Sequence, residues 1–363
     1  MSTYRAMRAG IAACILTASS ARPGFGETGP RTVTRTPPRV RRRFLRVALA
    51  AAAIVVFIGS SGFAQSEHKR TADDQTITLN SDLVTLSVTV TGDGGRLATG
   101  LRAQDFVVFD NDVEQSVRFF SADAVPVSWG LVLDRSGSMA DMMRDVYSAA
   151  THVIDEGTRE DEVFVATFDE RVSLATGFVS DRHRLGNSLL DLAPGGMTAL
   201  WDAIAFGLDQ SRGAKHRKKV LVVVTDGEDN ASTTTLRRVV ERAETDGTLI
   251  YPVGMFEGLE YSRFGVLSKD AASTRARFGL ELLATATGAA AHFPSDVAEC
   301  KRVMATIAQE VRRQYTLAFY PTNVARDGKW HAIRVVVRTG DPSTEYVVRT
   351  RPGYYATGGE NEP

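Results

Sequence analysis

Residues 82–101 read DLVTLSVTVTGDGGRLATGL, with Val84, Leu86, Val88 and Val90 alternating with Thr85, Ser87, Thr89 and Thr91. A period of two marks a strand with one face in a core and the other in water, and GDGG after it reads as a turn. DFVVFDND and QSVRFFSA predict further short strands, so residues 76–125 are expected to be all β. From residue 126 the pattern changes. SWGLVL runs into a stretch with Met142, Val146, Ala149 and Val153 at helical spacing, and DEVFVATF follows. Residues 182–192 read as helix, APGGM as a loop and 199–211 as helix again. KVLVVVTD leads to a helix carrying Leu236, Val239, Val240 and Ala243; TLIYPVGMF comes next, then helices 276–287 and 297–313 with a short AHFP between them. Buried strands alternating with amphipathic helices predict an α/β fold, a doubly wound and mostly parallel sheet. The connection 256–276 is long for a strand-to-helix loop.

The tail returns to period two in QYTLAFYP, in WHAIRVVVR with Ile333, Val335 and Val337 alternating, and in EYVVRT. Each flanking β segment is about 45–50 residues, small for independent folding. They are therefore expected to pack together as one small β-sandwich with the α/β domain inserted between them; two separate appendages are the alternative. The expected organisation is a basic leader over 1–64, a linker over 65–75, a β segment over 76–125, the α/β domain over 126–312 and a second β segment over 313–358.

Charge changes the picture at the amino end. The 363 residues carry 43 basic and 43 acidic side chains, yet residues 1–64 hold ten arginines and one acid, Glu27. That leaves 33 basic against 42 acidic residues in the remainder, which argues against nucleic acid as a partner. In RVRRRFLRVALAAAAIVVFIGSSGFAQSE the basic run ends at Arg46 and charge returns only at Glu67. The apolar part, 47–58, is short for a membrane span and suits the core of a signal peptide, with a cleavage site after Ala64. The long basic stretch leaves two alternatives open, a true start near Val40 or an uncleaved anchor at about 47–64. Each puts residues 65–363 outside the cytoplasm, periplasmic, secreted or anchored, with membrane contact only through the N-terminal segment. Cys14 lies in the leader, so Cys300 has no internal disulfide partner; with Val303, Ile307 and Val311 it forms an apolar helical stripe and reads as a buried thiol.

Three polar groups fall where strands of the α/β domain end: DRSGS after GLVL, GGMTALWDA, and TDGEDN after VLVVV. In a doubly wound sheet, ligands gather beyond the carboxyl ends of the strands. These groups supply two carboxylates, Asp134 and Asp226, and three hydroxyls, Ser136, Ser138 and Thr198. All five are hard oxygen donors, which suits Mg²⁺, with Mn²⁺ or Ca²⁺ also accommodated, and disfavours zinc or copper. Side chains at i, i+2 and i+4 point one way only from extended backbone.

These residues resemble the metal-ion-dependent adhesion site of the von Willebrand factor A (VWA) domain family, whose pattern is Asp-x-Ser-x-Ser, Thr, Asp. The resemblance covers about 126–312, and Asp134, Ser136, Ser138, Thr198 and Asp226 match it. It implies that these five hold a divalent cation, directly or through water, and that an acidic side chain of a ligand completes the coordination. The implied partner is a protein or other macromolecule with an exposed carboxylate. The flanks VTVTGDGGRLATGLRAQDFVVFDND and YPTN…DGKWHAIRV…RPGYYA resemble a bacterial VWA subgroup, which adds architecture and export but no ligand.

Other readings compete at each residue. The aspartates and serines are also good helix and loop caps. Glu228 and Asp229 are further ligands or a solvated rim; Asp202 is a hydrogen-bonding support or a surface acid. Arg135 is expected to point outward, towards an acidic partner. A hydrolase would need a base for Ser136 or Ser138, but RSGSM is not a nucleophile elbow and the six histidines form no motif. The expectation is cation-dependent binding without catalysis. A structural component of a cell-envelope assembly is the first alternative and a hydrolase the second.

Overall fold

The computed structural model describes residues 83–155, 157–181, 193–227, 229–256, 260–262, 265–267, 271–322, 328–339 and 344–356. The leader 1–64, the linker 65–75, the helix expected at 182–192 and Glu228 lie outside the described residues.

The first strands are β1 (Val84–Thr91), β2 (Phe106–Asp110), β3 (Val113–Gln115) and β4 (Val117–Ser121). Val84, Leu86, Val88 and Val90 of β1 are buried, as their alternation requires. The run DFVVFDND is a strand plus its turn. Asn111 and Asp112 both take positive φ, 48° and 65°, the two-residue hairpin geometry that matches strand twist.

Next come β5 (Val127–Asp134), α1 (Met143–Asp155), β6 (Glu162–Phe168), β7 (Val172–Val179), α2 (Leu200–Ser211), β8 (Lys218–Thr225), α3 (Leu236–Asp246) and β9 (Leu249–Gly254). A short antiparallel pair, β10 (Glu260–Ser262) and β11 (Gly265–Leu267), interrupts the connection expected to be a loop. α4 (Ala271–Thr287) and α5 (Val297–Arg313) complete the domain. α4 begins five residues before the expected 276, through an AASTR stretch with no apolar period.

Five strands pair in the order β7-β6-β5-β8-β9, all parallel except β7, which runs antiparallel on β6. Every residue of β5 is buried, because helices cover both faces of the sheet. On one face Val146, Tyr147, Met304 and Ile307 pack against Trp129, Leu131 and Leu133. On the other, Ile204, Leu208, Val239 and Leu280 meet Val132, Phe164, Leu221 and Val223. Cys300 lies fully buried in the first of these layers. The chain steps from β5 to β6 on one side and returns to β8 on the other, so the crevice between the carboxyl ends of β5 and β8 is the topological switch point.

The chain ends with β12 (Tyr315–Phe319), β13 (Trp330–Val337), β14 (Val347–Arg349) and β15 (Gly353–Tyr355). Two antiparallel sheets, β14-β1-β12-β4 and β15-β13-β2-β3, each take strands from both ends of the sequence. Leu86, Val88, Leu317 and Phe319 of one share a core with Phe106, Val108, Ile333 and Val335 of the other. The flanks thus close on each other as the expected sandwich. Full burial of each large side chain contributes about 1.5–3 kcal/mol, which neither flank could gather alone.

Candidate functional site

Asp134 closes β5 and is fully buried. Its Oδ1 accepts the Ser136 backbone N–H at 2.8 Å, and its Oδ2 accepts the Thr225 hydroxyl at 2.6 Å from the end of β8. The Tyr147 hydroxyl on α1 donates to the Asp134 carbonyl at 3.2 Å. Burial pushes the Asp134 carboxyl above the ordinary aspartate range, and the nearby Asp169 charge adds to it; the Thr225 and Ser136 hydrogen bonds oppose without cancelling. Burial and the Asp134 charge also push the Tyr147 phenol up.

The hydroxyls of Ser136 and Ser138 lie 3.2 Å apart, and Ser138 donates to Asp226 Oδ1 at 2.9 Å. A short 3₁₀ turn, Gly137–Met139, carries them, and α1 starts only at Met143. The hydroxyls are therefore directed at each other and at Asp226 rather than at the helix end. Asp226 falls one residue past β8.

Thr198 is nearly fully buried. Its N–H donates to Asn230 Oδ1 at 2.8 Å, and its carbonyl accepts the N–H groups of Asn230 and Ala231 at 3.0 and 3.1 Å. A Cβ on Gly227 would lie 3.4 Å from Thr198 Oγ1, so this hydroxyl rests on the turn that carries Asp226. Two backbone bonds tie the first loop to the second: Gly137 N–H to Gly196 O at 3.3 Å and Gly195 N–H to Arg135 O at 2.9 Å. Gly196 cannot be replaced easily, because its φ is +81° and a Cβ there would fall 1.7 Å from Glu170 Oε2. Asp134, Ser136, Ser138 and Asp226 thus form one hydrogen-bonded chain of oxygens, with Thr198 beside it.

Arg135 does not point to solvent as expected. Its guanidinium pairs with Asp169 at 2.5 Å and donates to the Ala193 carbonyl at 3.3 Å. That pairing engages its charge with Asp169. Asp202 accepts the N–H groups of Thr233 and Thr234, each at 2.8 Å, and so ties α2 to the loop before α3. Burial opposes its ionisation, but the bonds from Thr234 and Thr233 outweigh it and hold the carboxyl down. Asp229 accepts the Trp201 N–H at 3.4 Å, and burial holds its carboxyl up.

The pattern of residues along the chain missed Thr225, Asn230 and Asp169, all of which position the five oxygens or their neighbour Arg135. The signal for Thr225 was present: a hydroxyl residue interrupts the apolar run VLVVV immediately before Asp226. Among the described residues no histidine meets either serine; the acid within reach of Ser138 is Asp226 itself. His216 contacts the Glu160 carbonyl, and His331 pairs with Asp110 inside the sandwich.

The donor set suits a hard cation. Ser138 is exposed and Asp226 half-buried, while Asp134, Ser136 and Thr198 are buried, so one side of the cluster faces solvent. No group of three His, Cys, Asp or Glu side chains among the described residues is arranged to hold a metal. A cation here would need the hydroxyls as well as the two carboxylates. A hydroxyl that donates to its neighbour still offers lone pairs.

Residues 130–287 match the family described as von Willebrand factor type A domain. No curated protein matches the chain. Among solved structures the chain is similar to the conserved hypothetical protein BatB from Bacteroides thetaiotaomicron, at 19% identity over 51% of this chain and 97% of that one, with a TM-score of 0.38. It is similar to the vWF domain of the type V pili tip protein Mfa5 from Porphyromonas gingivalis, at 13% identity over 53% and 98% of the two chains, with a TM-score of 0.41. Proximal thread matrix protein 1 from the mussel byssus, with a zinc-occupied MIDAS motif, aligns at 15% identity over 56% of this chain and 49% of that one, with a TM-score of 0.42. A mostly parallel sheet wound on both faces, the polar loops at its switch point and the family match converge: residues 130–287 match the von Willebrand factor type A domain family and have its fold.

Proposed function

We propose that this domain binds a macromolecular partner through a divalent cation held by Asp134, Ser136, Ser138, Thr198 and Asp226, with a carboxylate of the partner completing the coordination. The observation that carries the proposal is the state of Asp134. Its carboxylate is fully buried and satisfied only by neutral donors, and the arginine next to it is bound to Asp169. An ionised carboxylate at such depth costs several kcal/mol without an opposite charge. A dication would remove that cost and balance Asp226 as well. Mg²⁺ is the first candidate, and Mn²⁺ or Ca²⁺ use the same oxygens.

Once bound, the cation would supply a positive centre at a solvent-facing edge. Thr225 and the Ser136 N–H would hold the Asp134 carboxylate in place, and Asn230 would hold Thr198. Met197, 56% exposed beside Thr198, gives a partner an apolar foothold next to the carboxylate it presents. This is a binding reading without catalysis. The setting is extracytoplasmic, periplasmic or secreted or anchored by the segment at about 47–64, with membrane contact through that segment alone.

The test is calorimetric titration of the full chain with Mg²⁺ and Mn²⁺, beside Asp134→Ala and Thr198→Ala. Saturable binding that both folded variants lose is the expected result. A melting temperature that follows Mg²⁺ without any metal-dependent capture of acidic partners would favour the cell-envelope scaffold instead. An intact protein that takes up neither ion sinks the proposal.

A further inference from the structure

At the opposite end of the central sheet a second site has the shape and chemistry of a ligand pocket. A cavity of about 400 Å³ opens between the sandwich and the amino ends of the parallel strands. That volume falls within the roughly 300–1,000 Å³ of small-molecule sites, which favour such junctions between modules.

Its floor is the outer face of the sheet β14-β1-β12-β4. Strand register puts Thr85 opposite Ala318 and Ser87 opposite Thr316, and all four line the cavity with small side chains. Leu83, Phe119, Val125 and Pro126 supply apolar walls. Leu83 and Phe119 are 40% and 51% exposed, two of the few large apolar side chains that the described residues leave in solvent. Monomeric proteins seldom gather exposed apolar surface around a concavity without an occupant for it.

The rim is cationic. His216, Arg217 and Lys218 line the cavity and no acid does, on a chain whose residues after 64 carry an acidic excess. His216 is engaged with the Glu160 carbonyl, and Lys218 donates to the Val311 carbonyl. Arg217 is exposed and makes no ion pair among the described residues, so it is the group left to meet an anion. A single guanidinium fork matches a carboxylate by two parallel hydrogen bonds.

From the apolar walls, the hydroxyl-lined floor and the lone arginine, we infer that this cavity binds an amphiphilic carboxylate, an aliphatic chain in the cavity with its head on Arg217. The inference does not depend on the cation site, which lies at the carboxyl ends of the same strands.

The test is titration of the full chain with dodecanoate below its micellar range, beside dodecanol and dodecyltrimethylammonium. Saturable binding of one dodecanoate per chain is expected, with the cationic amphiphile failing to bind. Arg217→Glu should weaken dodecanoate by about tenfold or more. Thr316→Trp, which fills the floor, should remove binding while circular dichroism stays native. Absence of binding by the intact chain overturns the inference. Equal binding of the cationic amphiphile, or dodecanoate affinity unchanged in folded Arg217→Glu, also overturns it by placing the ligand elsewhere, the apolar N-terminal segment included.

Discussion

Lys218 opens β8 and carries a charge in the wrong place for it. Burial holds its ammonium down to about 8, with the Glu310 charge acting the other way. In the unfolded chain the same group titrates at the ordinary 10.5. Below pH 8 both states are protonated and the folded state bears the whole desolvation cost. Between these two values the unfolded chain binds more protons at this group, so the Lys218 contribution to stability rises with pH across that window. The gain is on the order of 3 kcal/mol at most. Tyr147 and Tyr251, which folding keeps protonated above the normal phenol range, act the other way from about pH 10, and Cys300, whose thiol burial pushes up to about 11, does so from about pH 9; all three are common to wild type and variant. Urea unfolding of wild type and Lys218→Met at a series of pH values should show the wild type gaining on the variant from about pH 8 to about pH 10; parallel curves would mean that water reaches the ammonium. Thr225 makes a second prediction at this scale. Thr225→Val keeps the shape of the strand end but removes the donor to Asp134 Oδ2, a bond of 2.6 Å. Leaving that buried oxygen short of a partner should cost about 1–3 kcal/mol. It should also weaken Mg²⁺ uptake in calorimetry, and unchanged uptake would show that Thr225 does not position the carboxylate.

The helix α5 shows why some elements can be read from sequence to the residue. Asp296 accepts the Glu299 N–H at 2.7 Å, and Ser295 returns its own N–H and hydroxyl to Glu299 Oε2, each at 2.7 Å. This reciprocal start precedes a stripe of Cys300, Met304, Ile307 and Val311, all buried, so pattern and cap agree. Asp296→Ala should cost about 1 kcal/mol and speed amide exchange in the first turn of α5 before the rest of the helix; uniform exchange would show that the cap is dispensable. β7 lacks any such agreement. RVSLATGFV sits on an edge with most positions half-exposed, so neither alternation nor a continuous apolar run announced it. The same physics divides the site. Asp134, Ser136, Ser138 and Asp226 stand out because polar residues break apolar runs at strand ends, and Thr198 because it stands between a glycine turn and the start of α2. Asn230 and Asp169 stay hidden, since they act on a backbone amide and on a guanidinium remote in sequence, and no local period records such contacts.

On the scale of the molecule, the inserted domain and the sandwich are joined by charge as well as by chain. Glu310 on α5 is almost fully buried. It accepts the Tyr251 hydroxyl of β9 at 2.6 Å, the Thr89 hydroxyl of β1 at 3.3 Å and the Arg349 guanidinium of β14. Gln314 donates to both Thr89 and Tyr251 at 3.1 Å, closing the network where α5 hands the chain to β12. Burial works against Arg349, yet the Glu310 charge outweighs it and holds the guanidinium above its ordinary range. Glu310 thus answers to strands from both modules, and neither can swing away without stranding a buried charge. Glu310→Gln keeps the volume and removes the charge, leaving Arg349 unanswered. Breaking a buried pair costs roughly 3–5 kcal/mol. Arg349 is 33% exposed, and water screening reduces that to about 2 kcal/mol. In differential scanning calorimetry the wild type should melt in one transition. Glu310→Gln should melt roughly 5 °C lower, with the sandwich parting first and a second transition left for the VWA domain. A variant that melts as one unit at the wild-type temperature would mean that the apolar contacts alone hold the modules together, and the buried polar cluster would then serve to fix their orientation.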